Sequence, residues 1–390
     1  MAVSTEKTRI GIFGLRNVGK SSIINAITNQ NISIVSDTLG TTTDPVKKSM
    51  ELLPLGPVVI IDTPGIDDIG ELGELRIQKT KQILNTVDIA LLILDATSTL
   101  TNKDKELIKL FKDKNIPYLL VYNKADLLKN IPIQTQDTIY VSATTKFNIK
   151  ELKEKISTIT VKNKDKKILS DIVSQGDTVV LVIPIDSSAP KGRIILPQQQ
   201  VLRELIEIGA TIVVSNVENL THSLEKLTDK PKLIITDSQV FGKVNKIVPK
   251  GILLTSFSIL FARYKGNLDT LINGVNTLDK LSDGDTILIS EGCTHHRQCE
   301  DIGTVKLPKW IKEYTKKEIN FEFTSGTEFP EDLSKYKLVI HCGGCMITEN
   351  EMQYRLKHAT NSNIPITNYG ITIAQINGIL KRSLEPFYNI

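Results

Sequence analysis

Two groups of residues in this chain have the types and spacing that chemistry requires. Near the N-terminus, Gly14-Leu15-Arg16-Asn17-Val18-Gly19-Lys20-Ser21-Ser22 fits the pattern G-x-x-x-x-G-K-[ST]. Glycines at those positions let backbone N–H groups wrap a polyphosphate, and a helix starting at the lysine adds favourable potential for the anion. Lys20 should then reach the β- and γ-phosphates, and the Ser21 hydroxyl should ligate Mg2+. In IIDTPG (60–65) a strand ends on an acid, so that Asp62 can hold Mg2+ through water and Gly65 can offer its N–H to the γ-phosphate. Asn123-Lys124-Ala125-Asp126 follows the strand-like YLLVYN. The Asp126 carboxylate can accept the N1–H and N2–H of guanine, a pair that adenine does not present. Ser142-Ala143 ends the next strand and can close over the base edge. Each stretch is short, but their order and spacing select GTP and predict its Mg2+-dependent hydrolysis to GDP and phosphate.

The second group is made of thiols. Only four cysteines occur in 390 residues, and all lie in the last hundred: Cys293 and Cys299 in SEGCTHHRQCE, Cys342 and Cys345 in HCGGC. Cys293 and His295 follow the strand-like TILIS, whereas His341, Cys342 and Cys345 follow KLVI. If those strands are parallel and near each other, the loops at their carboxyl ends meet on one sheet edge. A C-x-x-C pair bites one metal or cluster, and Gly343-Gly344 lets backbone N–H groups turn toward sulfur. Three cysteine thiolates would hold an iron–sulfur cluster with one iron left open to an outside ligand. Other readings compete. All four cysteines could bind zinc, although the spacer between Cys293 and Cys299 is longer than the roughly two to four residues usual there. Cys342 and Cys345 could be a redox dithiol, or simply buried thiols. His295 and His341 could be ligands, or could orient a neighbouring ligand by hydrogen bonding.

The elements that must position these groups alternate between strand and helix throughout. Short β-branched runs (IGIFG, VVIID, IALLILD, YLLVYN, TIYVSA) are separated by helix-like stretches, the pattern of a mainly parallel sheet covered on both faces. The polar run VKNKDKK reads as a linker. The pattern resumes with DTVVLVIPID, QQQVLRELIEIG, TIVVS and KLIITD, then with TILIS, WIKEYTKK, INFEF, KLVIH and EMQYRLKHA. The fold class expected is therefore α/β: a P-loop GTPase domain (1–160), a linker (161–167) and two smaller α/β domains (168–265 and 266–390). A formal charge of +4 and 5% aromatic residues supply no nucleic-acid stripe. The longest apolar runs are far short of the ~18 residues a membrane helix needs, and the N-terminus lacks a secretory pattern. A cytoplasmic protein is expected, whose reducing surroundings favour metal or redox use of the cysteines over disulfides.

Residues 8–160 resemble translation-factor-related GTPases, closest to the Era and TrmE branch. LGTTTDP (39–45) resembles that branch's first switch segment, which makes Thr42 the candidate for a second Mg2+ hydroxyl, with Thr41 and Thr43 adjacent. Ile66 stands where Ras-like enzymes place a water-orienting glutamine, so intrinsic hydrolysis is expected to be slow. Asn17 matches a position that holds K+ beside the phosphates in potassium-dependent members. Lys20, Asn17, Thr42 and Gly65 are thus the residues expected to act in hydrolysis.

Over nearly its whole length, through Cys293-x-His295, His341-Cys342-x-x-Cys345, DSSAPKGRIILPQQQVLRELIEIGA and KLIITDSQ, the chain resembles the [FeFe]-hydrogenase maturation GTPases. The gap between His295 and His341 is slightly shorter than the family pattern. The resemblance implies a scaffold in which Cys293, Cys342 and Cys345 hold a [4Fe–4S] cluster. It also implies a diiron precursor bearing CO and CN−, delivered to apo-[FeFe]-hydrogenase, with radical-SAM maturases as further partners. A middle domain would make a homodimer, leaving higher homo-oligomers open. Water, His295, His341, Glu300 and Asp301 are the candidates for the fourth iron position. The alternative is an RNA- or ribosome-associated GTPase of the Era/TrmE kind with a structural zinc site. Against it, the last 220 or so residues lack a GXXG-clamped pattern and a dense basic stripe.

Overall fold

The computed structural model describes residues 7–28, 46–63, 80, 82–160, 167–185, 194–292, 301–326 and 328–388. It divides into two compact units, Met1–Asp165 and Lys166–Ile390.

The first unit is built on six strands: β1 (Thr8–Phe13), β2 (Val46–Leu52), β3 (Gly56–Asp62), β4 (Ile89–Asp95), β5 (Tyr118–Asn123) and β6 (Thr138–Tyr140). They run in the order β2-β3-β1-β4-β5-β6, with β2 antiparallel to β3 and the other pairs parallel. Strand β4 explains why the sheet is buried on both sides. Its residues alternate between two apolar clusters, Ile89, Leu91 and Ile93 in one and Ala90, Leu92 and Leu94 in the other, as a period of two requires. The carboxyl ends of β1, β3, β4 and β5 therefore share one edge, and all the nucleotide motifs within the described residues lie there.

The second unit holds two sheets of four parallel strands. One has the order β10-β9-β7-β8, from β7 (Thr178–Val182), β8 (Thr211–Ser215), β9 (Leu233–Thr236) and β10 (Leu253–Ser256). The other has the order β12-β11-β13-β14, from β11 (Thr286–Ser290), β12 (Asn320–Thr324), β13 (Leu338–His341) and β14 (Ile366–Asn368). One apolar cluster runs through both, joining Val180, Ile234 and Leu254 to Leu288, Val339 and Ile366. Polar clamps reinforce the junction. Arg382, near the C-terminus, donates to Asn245 Oδ1 (2.7 Å) and to the carbonyls of Val248 (3.1 Å) and Pro249 (2.6 Å) beside β10. Asn368 Nδ2, at the end of β14, donates to the Ser258 carbonyl at 3.0 Å. The mainly parallel α/β architecture expected from the alternation is the one found. Among the described residues no helix is long and apolar enough to cross a membrane.

Candidate functional site

At the nucleotide end, β1 gives way to a turn that closes on the helix Lys20–Thr28. Gly14 and Gly19 have positive φ (142° and 92°), and a Cβ on Gly19 would lie 2.3 Å from Asn123 Nδ2, so only glycine fits. Asn123 is buried and ties three motifs together. Its Nδ2 donates to the Val18 carbonyl (3.0 Å), and its Oδ1 accepts the Ala143 N–H (3.1 Å). Its place is therefore between the phosphate loop and the base-edge loop. Lys20 Nζ donates to the carbonyls of Gly14 (2.9 Å) and Leu15 (2.7 Å), which holds the ammonium over the loop it is expected to serve. Ser21, Ser22 and Asn17 are exposed at the same turn. Asn17 has φ 62°, a left-handed conformation that asparagine tolerates better than most residues; this gives it a backbone reason to be there, apart from any ion.

Asp62 ends β3, and its Oδ1 is buried with no hydrogen-bond partner among the described residues. Burial raises its carboxyl to about 6, against the opposing pull of Lys20. A buried carboxylate oxygen without a donor, close to the phosphate lysine, fits a hydrated Mg2+. Lys124 also has a left-handed backbone (φ 67°) and pairs with Asp95 at 2.6 Å. Asp126 lies exposed in the short turn Ala125–Leu127 that follows, and Ser142 is buried. Thr42 and Gly65 lie outside the described residues.

At the other end of the chain, β11 and β13 are adjacent and parallel, with Ser290 opposite His341. The carboxyl ends of these two strands consequently share one edge. Cys342 N–H donates to the Ser290 carbonyl (3.0 Å), and Cys342 Sγ accepts the N–H groups of Gly292 (3.0 Å) and Gly344 (3.4 Å). Gly344 takes φ 65°, which turns its N–H inward. Backbone donors converging on a sulfur favour a thiolate and its metal complexes. Burial dominates and pushes the Cys342 thiol up to about 11; Cys345 is raised for the same reason. Two cysteine sulfurs with backbone N–H groups aimed at them are part of the donor set an iron–sulfur cluster takes; among the described residues no group of three or more such ligands gathers. Cys293, His295, Cys299 and Glu300 lie outside the described residues.

His341 is fully buried with both ring nitrogens engaged. Its Nδ1 donates to the Cys342 carbonyl (2.8 Å), and its Nε2 accepts from Arg355 Nη1 (2.9 Å). Burial, then the Arg355 charge, lower its pKa to about 3, so the ring is neutral. In this arrangement it orients the cysteine loop. Asp301 uses Oδ2 to accept the Thr304 N–H and hydroxyl, both at 2.8 Å, and so caps the turn Ile302–Lys306.

Sequence reasoning missed several residues here. Arg355, Glu351 and Lys265 are buried behind the cysteine loop, and Glu291 accepts a hydrogen bond from Tyr369 Oη (3.2 Å) just before Gly292. A Cβ on Gly303 would come within 2.2 Å of that hydroxyl and 2.5 Å of Glu291 Oε1, so a larger residue there would displace this pair. Lys265 follows Phe261 by one helical turn on a buried stripe, and Arg355 shares its buried face with Met352 and Ala359, but also with Glu351.

Three family models match successive parts of the chain. A family model described as 50S ribosome-binding GTPase matches residues 9–124. The hydrogen maturase F dimerization domain matches residues 168–266, and the hydrogen maturase F tetramerization domain matches residues 269–386. Among curated proteins, the tRNA modification GTPase MnmE of Desulforamulus reducens is 35% identical over 162 residues, covering 39% of this chain and 34% of that protein. The MnmE of Lactococcus lactis subsp. cremoris is 36% identical over 173 residues, covering 43% of this chain and 37% of that protein. The chain thus spans about a third of the length of the curated relatives it matches. Among solved structures, a variant of Aquifex aeolicus Era bound to GDP.AlF4- is 20% identical, covering 53% of this chain and 92% of that one, with a TM-score of 0.35. The G domain of the T. maritima FeoB iron transporter is also 20% identical, covering 39% of this chain and 98% of that one, with a TM-score of 0.30. The first unit is a GTPase domain. Two maturase domains follow it in order, and the chain belongs to the hydrogen maturase F family.

Proposed function

We propose that this protein hydrolyses GTP in its first unit and, in its second, carries a [4Fe–4S] cluster on Cys293, Cys342 and Cys345. On that cluster it would assemble or hold a diiron precursor bearing CO and CN− and deliver it to apo-[FeFe]-hydrogenase, with radical-SAM maturases as the suppliers. The observation that carries this reading is the in-register parallel pairing of β11 with β13, with two backbone N–H groups aimed at Cys342 Sγ. The names of the two maturase domains support self-association into dimers and tetramers. The RNA-associated alternative is not favoured, because residues 168–266 and 269–386 match maturase domains.

In hydrolysis, Lys20 would serve the β- and γ-phosphates, and Asp62 and Ser21 would hold Mg2+, which when bound would supply positive charge to offset that of the phosphate oxygens. Asn17, exposed at the turn, is the residue that would hold K+. Asp126 reads the guanine edge, and Asn123 keeps that loop against Val18. At the sheet edge, His341 and the N–H groups of Gly292 and Gly344 fix the sulfur positions, and the cluster when bound supplies an iron open to a guest.

Reconstitution with iron and sulfide under argon tests the reading. The protein should turn brown, with an EPR signal appearing on dithionite reduction; a colourless protein with stoichiometric zinc and no iron would sink it. Lys20→Ala should lower GTP turnover by about 100-fold or more while iron per chain stays at the wild-type level. Iron lost together with turnover would mean that the two sites are not chemically separate.

A further inference from the structure

The helix Phe257–Lys265 presents Phe257, Leu260 and Phe261 to the core, and one turn beyond Phe261 the same stripe carries Lys265, only 4% exposed. An ammonium in such a place must find acceptors, since a buried charge without them is strongly unfavourable. Lys265 finds three. Its Nζ donates to the carbonyls of Gly344 (3.0 Å), Cys345 (3.1 Å) and Ile347 (2.9 Å). Three N–H donors thus meet three carbonyl oxygens, and the Phe261 ring lies 5.6 Å away.

Those carbonyls belong to the loop of Cys342 and Cys345, so each of its faces has a distinct electrostatic task. The carbonyls point at Lys265, while the Gly344 N–H points at Cys342 Sγ. Gln353 secures the arrangement from a second helix by donating to the carbonyls of Lys265 (3.0 Å) and Gly266 (3.2 Å). The lysine comes from the segment matched as a dimerization domain, whereas the loop lies in the segment matched as a tetramerization domain. The sulfur loop is therefore completed by a charge from the neighbouring segment.

We propose that Lys265 is a positioning residue of the cysteine site: it draws the loop carbonyls away from the sulfurs, and it places a buried positive charge where the reduced site carries most negative charge. The second half of this statement rests on the cluster reading above. A nearby cation stabilises the more negative, reduced state, so its removal shifts the midpoint potential downward.

Two full-length variants separate the donors from the charge. Lys265→Met removes both, and Lys265→Gln keeps an N–H2 group without the charge. In the metal-free protein, Lys265→Met should speed amide hydrogen exchange at Gly344–Ile347, and Lys265→Gln should speed it less. In reconstituted protein followed by EPR during redox titration, both variants should titrate at a more negative midpoint than wild type. Wild-type exchange at Gly344–Ile347 in both variants overturns the clamp, and an unshifted midpoint overturns the electrostatic role. Should wild-type protein take up no iron, the cluster reading fails by itself, and hydrogen exchange still decides whether Lys265 fixes the loop. If Lys265→Met does not fold, as circular dichroism would reveal, Lys265→Gln gives both readouts alone.

Discussion

Cys342→Ala should abolish the iron–sulfur absorption and the dithionite-generated EPR signal while leaving nucleotide binding intact. Cys342 is well prepared for a metal. It follows His341 directly, lies beside the end of β11, and accepts N–H groups from both Gly292 and Gly344. A side chain kept only for packing has no need of two converging donors. The substitution removes their acceptor, which costs about 1–3 kcal/mol where the donors are cut off from water. That is a tolerable fraction of a domain's stability, so loss of the cluster should be separable from loss of the fold. Cys342→Ser controls for shape, since a hydroxyl can still accept both N–H bonds but is a poorer iron ligand than a thiolate. The serine variant should therefore be nearly as stable as wild type and still lack the wild-type spectrum. If Cys342→Ala kept the full spectrum, this sulfur would not be a ligand.

The nucleotide site was legible in the sequence because its parts are local. A phosphate loop needs two glycines and a lysine at fixed offsets, and Gly19 shows why: its missing side chain is the space that Asn123 occupies. The task of Asn123 was less legible. It was expected only as a GTP-binding residue of its segment, but its hydrogen bonds stitch the Val18 and Ala143 loops across more than a hundred residues of chain. Spacing cannot reveal such a contact. The cysteine site was legible only conditionally. TILIS and KLVIH read as strands, but whether they pair, and in which direction, depends on the topology between them, and the parallel pairing of β11 with β13 supplies the answer. Lys265 and Arg355 were not legible as parts of this site. A charged residue on an apolar stripe more often marks a solvated helix edge, and only tertiary packing places these two at 4% and 0% exposure behind the sulfur loop. The close union of the two sheets was hidden for a similar reason, because a shared core is made of ordinary leucines, valines and isoleucines that carry no mark of which sheet they face.

Arg355→Met should be the most destabilising of the substitutions considered, at about 3–5 kcal/mol. The guanidinium is fully buried on the helix Glu349–Asn361, and each of its nitrogens has a partner. Nε donates to Glu351 Oε1 (2.8 Å), Nη1 to Ser290 Oγ (3.1 Å) and His341 Nε2 (2.9 Å), and Nη2 to the Gly326 carbonyl (2.7 Å). The Phe329 ring lies 5.1 Å from its central carbon. Methionine fills much of the space but leaves the Glu351 carboxylate, 4% exposed, without its counter-charge. The double change Arg355→Met with Glu351→Gln removes both charges and should recover a large part of the loss, since a buried ion pair is costly mainly when one partner is left alone. The single tryptophan of the chain, Trp310, packs against the second unit's core, so its fluorescence in a urea titration reports on this unit. A drop below about 1 kcal/mol in the single variant would mean that water or a shifted side chain already satisfies Glu351. The same arginine also holds His341 in the orientation that lets its Nδ1 reach the Cys342 carbonyl. The double variant, even when stable, should therefore keep its core and still hold the cysteine loop less firmly. Stability restored without faster hydrogen exchange at Cys342–Cys345 would indicate that the sulfurs are held from the Lys265 side alone.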